Sequence, residues 1–108
     1  MPKDMDKARL FDFYGSLLSE HQRDFFDLYY NEDLSLGEIA ENAGITRQAV
    51  LGNIRKAENN LILFEKGLGL LEKHEKNLKI LDGIKSILRG SDLDQKDRLL
   101  KLLDDLSI

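Results

Sequence analysis

The sequence contains no cysteine, which rules out a disulfide framework, thiolate chemistry and any Cys-based metal site. Its single proline stands at position 2, so no proline interrupts a helix further along. It has no Val/Ile/Thr-rich alternating run, and strands are not expected. No apolar stretch approaches the ~20 residues that a membrane span needs, so membrane insertion is not expected. Met1 to Asp12 alternate charged and apolar groups without an apolar run, unlike a signal peptide. These absences lead to the expectation of a cytoplasmic, soluble protein. A basic surplus is missing too, because 16 Lys and Arg face 20 Asp and Glu for a net charge of −4. The imbalance is local. Residues 1–34 carry 4 basic and 8 acidic groups, residues 35–60 carry 3 of each, and residues 61–108 carry 9 of each. Phosphate contacts supply most non-specific affinity for nucleic acid, so this balance counts against a dedicated nucleic-acid binder.

What is present reads almost entirely as helix, and the fold class is all-α. At 108 residues the chain is one domain or a small domain with a helical extension. The expected division is a helix-turn-helix domain over residues 1–66 and a C-terminal helical extension over 67–108 that dimerises or packs back. The first helix is predicted from about Asp4 to Leu18, with Met5, Ala8, Phe11, Tyr14 and Leu18 at helical spacing. Ser19 followed three residues later by Gln22 predicts a capping box for a second helix. That helix carries Phe25, Phe26, Leu28, Tyr29 and Tyr30 as core anchors. A base-stacking platform would need interleaved cations, and the neighbours here are Asp24 and Asp27.

The stretch GEIAENAGITRQAV, Gly37 to Val50, has the pattern of two helices joined by a tight turn. Ser35 with Glu38 predicts a capping box for a short helix over about Leu36 to Asn42. Ala40 is small where two helices must cross closely. Gly44 tolerates the positive φ of the turn. Thr46 is placed to cap the second helix. Ile39, Ile45, Val50 and Ile54 supply apolar groups for packing the pair on the rest of the domain. Ile54, Ala57, Leu61, Phe64, Leu68 and Leu71 then step by threes and fours like a coiled-coil seam. Ile62, Leu63 and Leu70 widen this stripe, and it is the expected route of homodimerisation, through Leu61, Phe64, Leu68 and Leu71. Gly67 and Gly69 predict a kink or break there. A further helix carries Leu78, Leu81, Ile84 and Leu88 up to Arg89 and stops at Gly90. A last helix opens near Asp92 and presents Leu99, Leu102, Leu103 and Leu106.

Leu34 to Leu61 resembles the helix-turn-helix of sigma-factor region four, through Leu36, Glu38-Ile39-Ala40, Gly44-Ile45-Thr46, Val50, Ile54, Ala57 and Leu61. The chain resembles more narrowly the YlxM family of small bacterial proteins over about residues 5 to 90. Leu28-Tyr29-Tyr30, Asp33 through Ala40, Arg47-Gln48-Ala49-Val50 and Asn53-Ile54 carry that likeness. The resemblance implies an all-helical protein and a regulatory role in the signal recognition particle protein-targeting pathway. Its implied partner is the targeting GTPase or its receptor. The segment beyond Gly90 has no match in this resemblance, and its role stays open.

Winding the second motif helix at about 100° per residue puts Val50, Ile54, Ala57 and Leu61 on one buried face. Opposite lie Gln48, Gly52, Arg55, Lys56 and Asn59, with Arg47 and Leu51 on a flank. Arg47 and Gln48 are chemically suited to guanine and adenine edges. Thr46 and Lys56 could hold phosphates, and with the outward Arg55 these five residues are the candidate duplex-DNA contacts. The face is thin for that task, since Gly52 has no side chain and Leu51 offers at most a methyl contact. The same face suits a protein partner, with Leu51 as its apolar element and the arginines facing carboxylates.

No other chemistry stands out. His21 and His74 have no metal-ligand spacing. Gly67-Leu68-Gly69 lacks the strand and third glycine of a phosphate loop. No nucleophile has a neighbouring base, so no catalytic residue, metal or cofactor is expected. Two functions remain open. One is a regulatory adaptor of the targeting machinery, with the acidic N-terminal third as its expected contact surface. The other is a DNA-binding transcriptional regulator.

Overall fold

The computed structural model describes residues 3–90 and 93–105. Among these are six α-helices, one short 3-10 turn and no strand. The chain divides into two compact units, Met1–Gly69 and Leu70–Ile108.

In the first unit, α1 spans Met5–Tyr14 and is capped by the Asp4 carboxylate, which accepts the Asp6 N–H at 2.9 Å. It stops four residues before the predicted end. The chain tightens at Gly15–Leu17 into a 3-10 turn, with Gly15 buried beneath the Phe11 ring. Leu10 and Tyr14 face the core, whereas Met5 is 72% exposed. The second helix, α2 (Glu20–Tyr30), has Ser19 Oγ accepting from the Gln22 N–H. The expected capping box is only half formed, because Gln22 Oε1 turns instead to the Asn60 amide at 3.2 Å. The aromatic run anchors the core as its spacing predicts. Phe11 stacks on Phe26 at 4.6 Å, Phe26 stacks on Tyr30 at 4.1 Å, and Tyr29 meets Tyr30 edge-on at 5.5 Å.

Helices α3 (Leu36–Ala43) and α4 (Arg47–Leu68) follow, and α4 packs on α1, α2 and α3. It is the spine of the unit. Val50, Ile54, Ala57 and Leu61 are all 0% exposed along one side of α4, so four successive helical steps are spent on the core. The N-terminal part of the stripe expected to carry self-association is therefore taken up by the unit's own core. Ile54, Ala57 and Leu61 are inside their own unit and closed to a second chain. Phe64 is half-buried with its ring 6.0 Å from that of Tyr14, and Leu68 remains 52% exposed. The break predicted at the glycine pair falls at Gly69, whose φ of 64° lets its N–H turn back to the Glu65 carbonyl and end α4.

Polar ties from α4 complete the unit. The Tyr30 hydroxyl donates to Glu58 Oε2 at 2.5 Å and itself accepts the Asp4 N–H at 3.3 Å, while Lys7 Nζ lies 3.7 Å from the same carboxylate oxygen. Burial, reinforced by the Glu58 hydrogen bond, holds the Tyr30 phenol well above the ordinary tyrosine range. Farther along, Tyr14 donates to Glu65 Oε1 at 2.6 Å. A buried carboxylate needs partners of this kind, since an unpaired one would be strongly penalised.

The second unit contains α5 (Leu70–Arg89) packed on α6 (Leu93–Asp104). The helix predicted near Asp92 is present, although Asp92 itself and Leu106 lie outside the described residues. Ile84 is buried and Ile80 and Ile87 are half-buried, whereas Leu78, Leu81 and Leu88 are exposed. Of the four residues singled out on this helix from the sequence, Ile84 alone faces inward.

Candidate functional site: the helix-turn-helix face

The entry to the site is fixed by local chemistry. Ser35 Oγ accepts the Glu38 N–H and Glu38 Oε1 accepts the Ser35 N–H, both at 3.1 Å, so the predicted capping box is complete. Ile39 and Ala40 are 0% and 5% exposed where α3 meets the body of the unit. Gly44 then takes φ 70° and ψ 29°, a left-handed conformation that a side chain disfavours. The Ile45 N–H reaches back to the Ala40 carbonyl at 3.1 Å, closing the turn. Ile45 itself is 39% exposed, so it contributes less to packing than its apolar side chain suggests. Thr46 Oγ1 accepts the Ala49 N–H at 3.1 Å and starts α4. Because the cap uses an acceptor lone pair, the Thr46 O–H proton stays free to be donated outward.

The outward side of α4 presents Arg47, Gln48, Arg55, Lys56 and Asn59, all exposed, with Leu51 and Gly52 half-buried between them. Arg47, Gln48 and Leu51 line a shallow pocket of about 360 Å³ together with Leu36 of α3. The Arg47 stem runs beside Gly37, since a Cβ there would lie 3.8 Å from Arg47 Cδ. The stem and Nε of Arg47 therefore lie alongside α3 at Gly37. Asn53 is spent locally, donating to the Ala49 carbonyl at 3.0 Å. Among the described residues, Arg47, Arg55 and Lys56 form no ion pair. Nearby, the Glu38 carboxylate is already engaged in its cap.

The acidic N-terminal third does not form a comparable site. Asp4 lies 3.9 Å from Lys7, Asp6 2.8 Å from Arg9, Asp24 4.0 Å from Arg23 and Asp33 2.6 Å from Lys3. Asp12, Glu20 and Glu32 are exposed but lie on separate elements. Half of the acidic groups of that third are therefore matched by nearby cations.

Among the described residues, no three His, Asp or Glu side chains gather where a metal could sit. No helix among them is long and apolar enough to cross a membrane.

A family model described as "Putative helix-turn-helix protein, YlxM / p13 like", UPF0122, matches residues 1–103. The chain belongs to the UPF0122 family. It is 47% identical over 89 residues to a UPF0122 protein of Desulforamulus reducens, covering 82% of this chain and 76% of that protein. A relative in Halalkalibacterium halodurans is 46% identical over 98 residues, 90% of each chain. One in Geobacillus kaustophilus is 41% identical over 109 residues, 98% of each. UPF0122 is described as a helix-turn-helix family.

Two features of the site were not named from the sequence. Leu36 stands in the sequence reading as a helix start and as part of the sigma-factor likeness, and it proves to be one wall of the pocket. Glu58 enters the sequence reading only as one of the three acidic charges of residues 35–60, yet it is 7% exposed. Its position gave a signal, because it lies about 80° from Val50 around the helix, next to the buried arc.

Proposed function

We propose that this protein is a regulatory helix-turn-helix protein of the signal recognition particle targeting pathway. In this reading it meets the targeting GTPase or its receptor through the α3–α4 face. The observation that supports it is the leucine-walled pocket of Leu36 and Leu51, bordered by Arg47 and followed along α4 by Arg55 and Lys56, cations with no intramolecular carboxylate partner. An apolar depression edged by free arginines fits an aliphatic side chain flanked by carboxylates on a partner helix. The family likeness supplies the pathway. Capture of partners from a bacterial lysate, before and after nuclease treatment, tests the proposal. Retention of the targeting GTPase or its receptor after nuclease is expected, and loss of every partner would overturn it.

A second reading, regulation by binding duplex DNA, is favoured by the same cations, unpaired among the described residues, on the second helix of a helix-turn-helix. Its affinity would rest on three cations, Arg47, Arg55 and Lys56, with Gln48 as the one further base-reading group. Neutralising three phosphates corresponds to a log–log salt slope of about −2.7, so binding should be modest and fall steeply with salt. A duplex titration giving tight binding with almost no salt response would contradict this reading.

A further inference from the structure

The Leu70–Ile108 unit is too small to close a core alone. It has 39 residues, and below about 40 residues a chain usually needs a disulfide, a metal or a partner to hold its fold. The chain has no cysteine. Among the described side chains of this unit only Ile84 is buried, while Leu78, Leu81 and Leu88 of α5 are 48%, 38% and 57% exposed and Leu100 and Leu103 of α6 are 61% and 47% exposed.

These leucines share one side of the hairpin. Measured from Ile84 at about 100° per residue, Ile80 and Ile87 fall at about −40° and −60°, and Leu88, Leu81 and Leu78 at about +40°, +60° and +120°. In α6, measured from Leu99, the half-buried Gln95 and Leu102 fall at about −40° and −60°, and Leu103 and Leu100 at about +40° and +100°. The two helices therefore repeat one pattern, an inward edge and a leucine edge displaced in the same sense. They pack on each other across a short connection, as antiparallel neighbours do. In an antiparallel pair, displacements of the same sense fall on the same side.

We infer that this leucine face is covered by a second copy of the chain, so that two hairpins form a four-helix bundle. Charge favours a copy over a strongly charged partner. Residues 61–108 carry 9 basic and 9 acidic groups, so two copies meet without net repulsion. The rim of α5 bears Lys85, Arg89 and Asp82, the rim of α6 bears Asp97 and Asp104, and Lys96 lies at about +60° within the α6 leucine edge, all exposed, so both signs are present on each helix. A two-fold axis that lays α5 on the partner's α6 brings Lys85 and Arg89 towards Asp97 of the partner subunit. That contact is isologous, the commonest kind between identical chains.

Sedimentation equilibrium of the full chain tests this. A species of twice 12.4 kDa is expected. Leu81→Ala with Leu103→Ala should weaken the dimer at least tenfold, and alanine keeps the helical propensity of both positions. Ile62→Ala with Leu63→Ala, on the exposed side of α4, should leave it unchanged. Circular dichroism of each variant separates lost association from lost helix. A wild-type chain that stays monomeric, as it would if the face were covered by its own first unit, overturns the inference. A Leu81/Leu103 variant that dimerises with unchanged affinity also overturns it.

Discussion

Leu61→Ala is expected to destabilise the helix-turn-helix unit by about 2–5 kcal/mol, the cost of removing buried methyl groups and leaving a cavity behind. Leu61 is 0% exposed, the last of four core positions on α4 after Val50, Ile54 and Ala57. It lies on the helix that packs against both α1 and α2, whose Phe11, Phe26 and Tyr30 rings are stacked. Urea denaturation reads the loss as a lower midpoint. The loss should not depend on protein concentration, because Leu61 packs within one chain. A loss that disappears as concentration rises would return Leu61 to an interface between chains, in the role its spacing first suggested.

The second large effect belongs to the buried carboxylate. Glu58→Ala removes the acceptor of the Tyr30 hydroxyl and the partner of Lys7 at once, and should cost roughly 2–3 kcal/mol, in the range of hydrogen bonds to a charged group. Tyr30→Phe alone should cost less, since it leaves Lys7 beside Glu58. The two changes share one hydrogen bond, so the double variant should be more stable than the sum of the single losses implies. Tyr30 also gives a pH signature. Its folded pKa is raised, so the proton is held more tightly in the folded state than in the unfolded one. That contribution is complete below a pH of about 10, the ordinary tyrosine value, and is lost as pH rises beyond it. Wild type should therefore lose more stability above that pH than Tyr30→Phe does. Equal slopes would show that Tyr30 is not held in its neutral form by the fold.

What could be read from the sequence follows from how far each signal reaches along the chain. The Ser35–Glu38 box, the Thr46 cap and the Gly44 turn were legible because every partner lies within a few residues. The inward face of α4 was legible because Val50, Ile54, Ala57 and Leu61 repeat at the helical period. Its occupant was not. Periodicity marks an apolar face without saying what covers it, and here α1 and α2 cover the part expected to dimerise. The role of Glu58 was not legible for a related reason, because its partner Tyr30 is 28 residues away. In α5 the difficulty was excess. Ile80, Ile84 and Ile87 form one apolar edge and Leu81 and Leu88 another, and composition alone does not choose which one meets α6. The 3-10 turn after Tyr14 was hidden because Leu18 continues the helical spacing, although the chain has already left the helix at Gly15.

On the proposed reading this protein acts through its α3–α4 face. The most direct measurement is the affinity of purified targeting GTPase, and of its receptor, for wild type and for Arg47→Ala/Gln48→Ala, with circular dichroism confirming that both chains are equally helical. Both residues are exposed and border the pocket without supporting the core, so the variant should fold normally. Arginine is enriched among the few hot-spot residues of an interface, whose truncation costs about 2 kcal/mol or more, which corresponds to at least about a tenfold loss of affinity. Such a loss is the expected result. Undiminished binding by the folded variant would contradict the claim and place the partner surface elsewhere on the chain.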